Sequence, residues 1–232
     1  MKRDQETNSR DLSRQQQILR RLLMKDHDFQ TALPVFLSQH AMIHAARLQP
    51  GSHWSCQDDV LNDLTETQLR CVPSGCPHSV VWSLWHITRI EDVTMNVLLA
   101  DAPQPLHSGN WLTQLETSYE GVGNEMSLAE IASVSQTVNL QALLAYQLAV
   151  GKRTRAIVRR LNPEILWADP AHERLKRLST EQAVNEKAGW LLTYWGGYPS
   201  ANLLLMPATR HGFVHLNEIQ RMRPKLQRLR AN

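Results

Sequence analysis

Along most of the chain, apolar residues recur three and four positions apart, and almost no stretch alternates apolar and polar residues over β-branched side chains. That spacing is the period of a helix face, so the pattern predicts an all-α protein. An amphipathic helix is expected over about Leu12 to Met24, within residues 1–27 that read as an N-terminal extension, and a longer one over Phe29 to Leu48, ended by "QPGS". After a short helical turn at "DDVLNDL", the strongest pattern runs from Ser79 to Ala100, with Ser79 as N-cap after Pro77 and a stop before "DAPQP". Asp101 to Asn124 is turn-rich and aromatic, and a connection of that length is expected to pack across the helices. "SLAE", Ser127 to Glu130, has the capping-box pattern, and a long helix follows over Val138 to Leu161. Shorter helical pieces cover Leu161 to Trp195, and "YWGGYP" precedes a last helix over Asn202 to Leu229. Within it Pro207 either kinks the backbone or starts a fresh helix. Four long helices joined in this way predict a four-helix bundle with extra short helices and a long crossover connection. No repeat or low-complexity linker divides the chain, so residues 1–232 read as one domain.

The last helix carries an anomaly. In "MPATRHGFVHLNEI", His211 and His215 are four residues apart and therefore lie on one face, roughly the face of Leu204, Ala208, Ile219 and Met222. His86, in "VVWSLWHITRIEDVTMN", shares a stripe with Trp82, Ile90, Val93 and Val97, away from Arg89 and Asp92. One inward imidazole from one helix and a pair from another supply three nitrogen donors, the number found in metal sites that keep a position for water or substrate. The ordinary alternative for each is a core histidine satisfied by a hydrogen bond. Glu218 follows His215 by three residues, placing a carboxylate where it orients an imidazole, accepts a proton or joins as a fourth ligand, or else is simply solvated. A second pair, His40 and His44, lies on the first long helix, and His44 is held as a reserve ligand.

Other chemistry finds less support. Gly212 stands where a zincin H-E-x-x-H motif carries its glutamate, no paired Glu-x-x-His marks a di-iron bundle, and "VGKRT" lacks the upstream glycine of a P-loop. Cys56, Cys71 and Cys76 are an odd number without a C-x-x-C and read as free thiols. The 232 residues are 42% hydrophobic with a formal charge of +3. The cations are spread rather than interleaved with aromatics, which argues against a nucleic-acid partner. A polar N-terminus and the lack of a bilayer-length apolar run lead to the expectation of a cytoplasmic protein without a membrane role.

The helix "SVVWSLWHITRIEDVTMNVLL" and the distant "HGFVHLNEI" together resemble the DinB/YfiT-like superfamily of metal-dependent four-helix-bundle enzymes, over about Phe36 to Arg223. The resemblance maps that family's metal triad onto His86, His211 and His215. It implies one divalent ion, Zn²⁺ or Ni²⁺, a homodimer and a small-molecule substrate. Characterised branches include thiol-dependent S-transferases and a mycothiol-dependent isomerase, so a low-molecular-weight thiol as co-substrate is implied as well. The resulting expectation is a metal-dependent thiol S-transferase or hydrolase with Glu218 as the residue acting beside the metal. The alternative is a non-catalytic, metal-stabilised bundle acting in small-ligand binding or stress response.

Overall fold

The computed structural model describes residues 2–51 and 54–229, with side chains from residue 10 onward. Among the described residues the chain is helical and strand-free. The helices are α1 (Lys2–Arg21), α2 (Phe29–Ile43), α3 (Cys56–Leu61), α4 (Glu66–Arg70), α5 (Val80–Asp92), α6 (Trp111–Leu115), α7 (Leu128–Thr137), α8 (Leu140–Arg160), α9 (His172–Thr180), α10 (Trp190–Gly196), α11 (Ala201–Leu205) and α12 (His211–Gln227). Three are prolonged by π-helical turns: α1 through Leu22–Asp26, α5 through Val93–Leu99, and α11 through Met206–Arg210 directly into α12.

The bundle is formed by α2, α5, α8 and the α11–α12 rod: α5 packs on α8 and α12, and α2 packs on the same two. The extension helix α1 lies outside, against α2 and α11, burying Leu12, Leu19, Leu22 and Leu23. Gln16 Nε2 ties it to Leu205 O at 2.7 Å. The sequence-derived boundaries hold at several ends because local chemistry sets them. Ser79 Oγ accepts from Trp82 N at 3.0 Å as the N-cap of α5, and Ser127 with Glu130 closes a complete capping box on α7.

The structure departs from expectation at the first helix, which begins at Lys2 rather than near Leu12, and at the end of the second, and it decides between the two readings of Pro207. The helix expected over Phe29 to Leu48 stops at Ile43 because His44 is extended, with Ser55 Oγ donating to His44 O and Asp58 accepting from Ala46 N. Pro207 does not start a separate helix. It lies in the π turn of a helical run continuous from Ala201 to Gln227, where the wider turn accommodates the missing N–H, and such turns recur at functional sites.

Helix α5 is the axis of the protein. Every residue from Val80 to Leu99 is buried, including Arg89 and Asp92, which the helical period had placed on a polar face. The expected solvent face is instead a buried network. Arg89 Nη1 donates to Asp92 Oδ2 at 2.9 Å and to the Tyr146 hydroxyl at 2.8 Å, and the Tyr146 hydroxyl donates on to Asp92. Arg89 Nη2 reaches Glu120 O at 2.7 Å, and Leu106 N donates to Asp92 Oδ2 at 3.2 Å. The long connection therefore packs across the bundle as its length implied, because α5 holds its backbone polar groups.

On α8, Gly151 permits a close approach to the end of α2: a Cβ there would stand 3.2 Å from both Cε1 and Nδ1 of His44 and from Leu48 Cδ2. Gly151→Val is expected to destabilise the fold by about 1–3 kcal/mol through overpacking, read from the urea midpoint. An unchanged midpoint would show that α2 and α8 can part without cost.

Candidate metal centre

The rings of His86, His211 and His215 form a nearly equilateral group. Their centroids are 4.9, 4.9 and 4.7 Å apart, with planes inclined by 69 to 84°. One nitrogen from each lies within 4.8 Å of the others, and His86 Nε2 is 3.1 Å from His211 Nε2. The sequence pattern had turned these three side chains inward from two helices, and the fold brings them to one point.

Protonation follows from the partners. His86 Nδ1 is 2.6 Å from Val122 O, and a carbonyl only accepts, so Nδ1 carries the proton and Nε2 presents its lone pair to His211. His211 Nδ1 is buried without a partner. Two imidazole nitrogens 3.1 Å apart either share one proton or aim lone pairs at a common cation. Ligands bonded at about 2.0–2.1 Å to one ion lie about 2.9–3.4 Å from each other in octahedral or tetrahedral arrangements, so the pair fits a transition-metal site. The Nδ1–H bond from His86 to a backbone carbonyl is the kind of support that metal-binding histidines receive.

The surroundings fix the rings further. Trp82, one turn before His86, is sandwiched between His86 and His78, at 4.8 Å and 10° on one side and 4.5 Å and 24° on the other. Val122 is itself held by its N–H to Ala183 O at 3.0 Å, and Gly123, at φ +92°, brings the loop against the Trp82 ring. His215 Nδ1 lies 2.7 Å from Glu218 Oε2, off the line of a hydrogen bond. The Glu218 side chain is 38% exposed and that of His215 14%, so the group reaches solvent at this corner while His86 is buried.

His78 was not singled out by sequence reasoning. Ser83 Oγ spends its hydrogen on Ser79 O, so His78 Nδ1 donates to Ser83 at 3.0 Å, and His78 Nε2 faces Glu218 Oε2 at 3.9 Å. No period could have revealed it, because His78 precedes the N-cap of α5 and lies outside the helix.

The structure places His44, the reserve ligand, elsewhere. Its Nε2 is 2.9 Å from Glu91 Oε2, and His40 Nε2 is 2.8 Å from Glu91 Oε1, in a separate buried group. Glu91 is also new relative to the sequence reading. Burial pushes its carboxyl up, but the two imidazoles outweigh this and hold it below the usual carboxylate range.

The sequence profile of the DinB superfamily matches residues 52–192, more than half of the chain. The chain belongs to the DinB superfamily. The match on this DinB-superfamily protein contains His78, His86 and Glu91 and ends before the helix of His211 and His215, which the tertiary structure brings back to His86. No curated protein matches the chain.

Cys56, Cys71 and Cys76 are free thiols, and burial pushes Cys56 up to about 12, which makes it an inert one. No helix among the described residues is long and apolar enough to cross a membrane.

Burial lowers His86 to about 3 and His40 to about 4, and it also lowers His78, His211 and His215. Unfolded imidazoles titrate near 6.5, so below that value the unfolded chain binds protons that the folded chain refuses. The metal-free protein is expected to keep its full stability above about pH 6.5 and to lose it progressively between about pH 6.5 and 4. Melting temperatures at half-unit pH steps check this; a flat profile across the window would mean that these imidazoles are not held neutral by burial.

Proposed function

We propose that this DinB-superfamily protein is a cytoplasmic metal-dependent enzyme, a thiol S-transferase or a hydrolase, whose three-histidine centre of His86, His211 and His215 holds one divalent ion. The observation that carries the reading is the 3.1 Å approach of His86 Nε2 to His211 Nε2, with the His86 proton committed to Val122 O on the other side of the ring. Zn²⁺ and Ni²⁺ are the ions proposed, since three imidazoles suit both. When bound, such an ion supplies Lewis acidity that favours the deprotonated form of a thiol or of water.

The chain's own residues would divide the remaining work. Trp82 and Val122 fix the plane and tautomer of His86. Glu218, at the exposed corner and 2.7 Å from His215 Nδ1, would orient that imidazole and accept a proton from a small-molecule substrate entering there. His44, the ligand that would have closed the coordination shell of a purely structural ion, is engaged by Glu91, which favours the catalytic reading over the non-catalytic bundle. A homodimer, with no nucleic-acid partner, completes the proposal, and sedimentation equilibrium tests that state.

Metal analysis of the protein and of its His86→Ala variant, followed by a screen of thiol-transfer and hydrolysis substrates on the loaded protein, tests the reading. Glu218→Gln is expected to lower turnover by about 10²–10⁴-fold if the carboxylate is the base. It should weaken metal affinity by no more than about 10–100-fold through the loss of support to His215. If rate and affinity both stay unchanged, Glu218 has no part in the chemistry.

A further inference from the structure

A second convergence of metal-binding groups lies on the same axial helix, five residues beyond His86. Glu91 is reached by two imidazoles, one from α2 and one from the extended residue that follows it: His40 Nε2 at 2.8 Å from Oε1 and His44 Nε2 at 2.9 Å from Oε2. All three side chains are buried, His40 fully, and their candidate ligand atoms lie within 4.8 Å of one another. Among the described residues the ion-pair partners of Glu91 are these two imidazoles alone. The Arg155 guanidinium, whose charge bears on His40, spends its hydrogen bonds on Leu37 O and Gln49 instead.

A carboxylate this deep needs a compensating cation, because an isolated buried charge is among the most expensive features a fold can hold. Two forms balance it. One imidazole can carry an extra proton, or a divalent ion can take the place of the Nε2 protons. The distances suit the second form: nitrogen and oxygen ligands on one ion at about 2.0–2.2 Å stand roughly 2.8–3.4 Å apart. Each imidazole approaches a different oxygen of the same carboxylate, so a bidentate Glu91 with two Nε2 atoms supplies four donors, the number of a closed structural site. Gly151 contributes by letting the His44 ring lie against the α8 backbone, where a Cβ would crowd it at 3.2 Å.

We propose that His40, His44 and Glu91 form a second metal site, closed and structural, which takes a first-row divalent ion such as Zn²⁺ and fastens the end of α2 to α5. It differs from the three-histidine centre in having no exposed corner, so the ion enters during folding and exchanges slowly afterwards.

The experiment is refolding of the wild type and of a His211→Ala/His215→Ala variant from guanidinium with excess Zn²⁺, then desalting through a chelator and counting ions per chain by elemental mass spectrometry. Two ions in the wild type and one in the double variant, with a higher melting temperature than the same variant refolded in chelator, is the expected result. Adding His44→Gln to the double variant should remove the remaining ion. If that triple variant does not fold, histidine ¹⁵N spectra of the double variant serve instead: Zn²⁺ must shift the Nε2 resonances of His40 and His44, and unshifted resonances overturn the proposal. One ion in the wild type and none in the double variant would overturn it while leaving the three-histidine reading intact. One ion in both would support it and remove the three-histidine reading. No ion in either would overturn both and leave the group as a hydrogen-bonded His–Glu–His cluster.

Discussion

His211→Ala is expected to release the ion held at the three-histidine centre, lowering the metal content by one ion per chain while leaving the fold intact. Losing a residue that only supports a metal ligand costs about 10–100-fold in affinity, and losing one of three ligands must cost more. The variant should therefore emerge from purification in dilute chelator without this ion under conditions where the parent keeps it. The fold should survive because the rod is held elsewhere: Leu204, Ala208, Leu216, Ile219, Met222 and Leu226 bury its apolar face, and among the described residues the His211 ring has no hydrogen-bond partner other than His86, while its backbone N–H to Met206 O is kept by alanine. A small rise in the melting temperature of the metal-free variant is a further expected sign, since alanine removes a buried ring nitrogen that has no partner. If His211→Ala retains the full metal content of the parent, the three histidines are core residues and the enzymatic reading goes with them.

The largest effect on stability is expected from Asp92→Ala. In the folded chain Asp92 accepts from Arg89, the Tyr146 hydroxyl, Leu106 N and the Asn96 amide, and both Arg89 and Asp92 are fully buried. Removing the carboxylate strands a guanidinium in the centre of the bundle, which costs about 3–5 kcal/mol. For a chain of this size that is a fall in melting temperature of roughly 6–20 °C. The partner experiment separates charge from shape. Arg89→Met with Asp92→Leu removes both charges and keeps the volume, so it should lose clearly less than Asp92→Ala. Equal losses would mean that the network acts by packing and not by charge. The same network bears on the metal centre: Arg89 fastens Glu120 O and His86 fastens Val122 O, so α5 holds the loop that in turn fixes the His86 tautomer. Metal affinity in the surviving Asp92→Ala protein should accordingly fall together with stability.

Much of this arrangement was legible along the chain where the cause is local. The N-caps at Ser79 and Ser127 depend on residues three positions away, and the i, i+4 placement of His211 and His215 is a property of any helix. The inward direction of His86 followed from its stripe of Trp82, Ile90, Val93 and Val97, all of which are buried. The stripe misled in one respect. It implied that Arg89 and Asp92 face water, whereas α5 is enclosed on every side and those charges are matched by Tyr146 of α8 and by backbone from the long connection. Periodicity measures how polar a face is; it does not say whether that polarity meets water or a partner 57 residues away.

Local rules therefore account for the helical class, several helix ends and the face of two helices that carries the three histidines, because each of these is a matter of neighbouring residues and the 3.6-residue period. Long-range packing is what sets His211 3.1 Å from His86 across 125 positions, turns His44 to Glu91 across 47, and brings His78 to the same corner as Glu218. Those meetings are set by how helices cross and how loops are fastened. A single chain of letters carries no local signal for them, since the energy that fixes each contact comes from burial and hydrogen bonding between segments that the sequence keeps far apart.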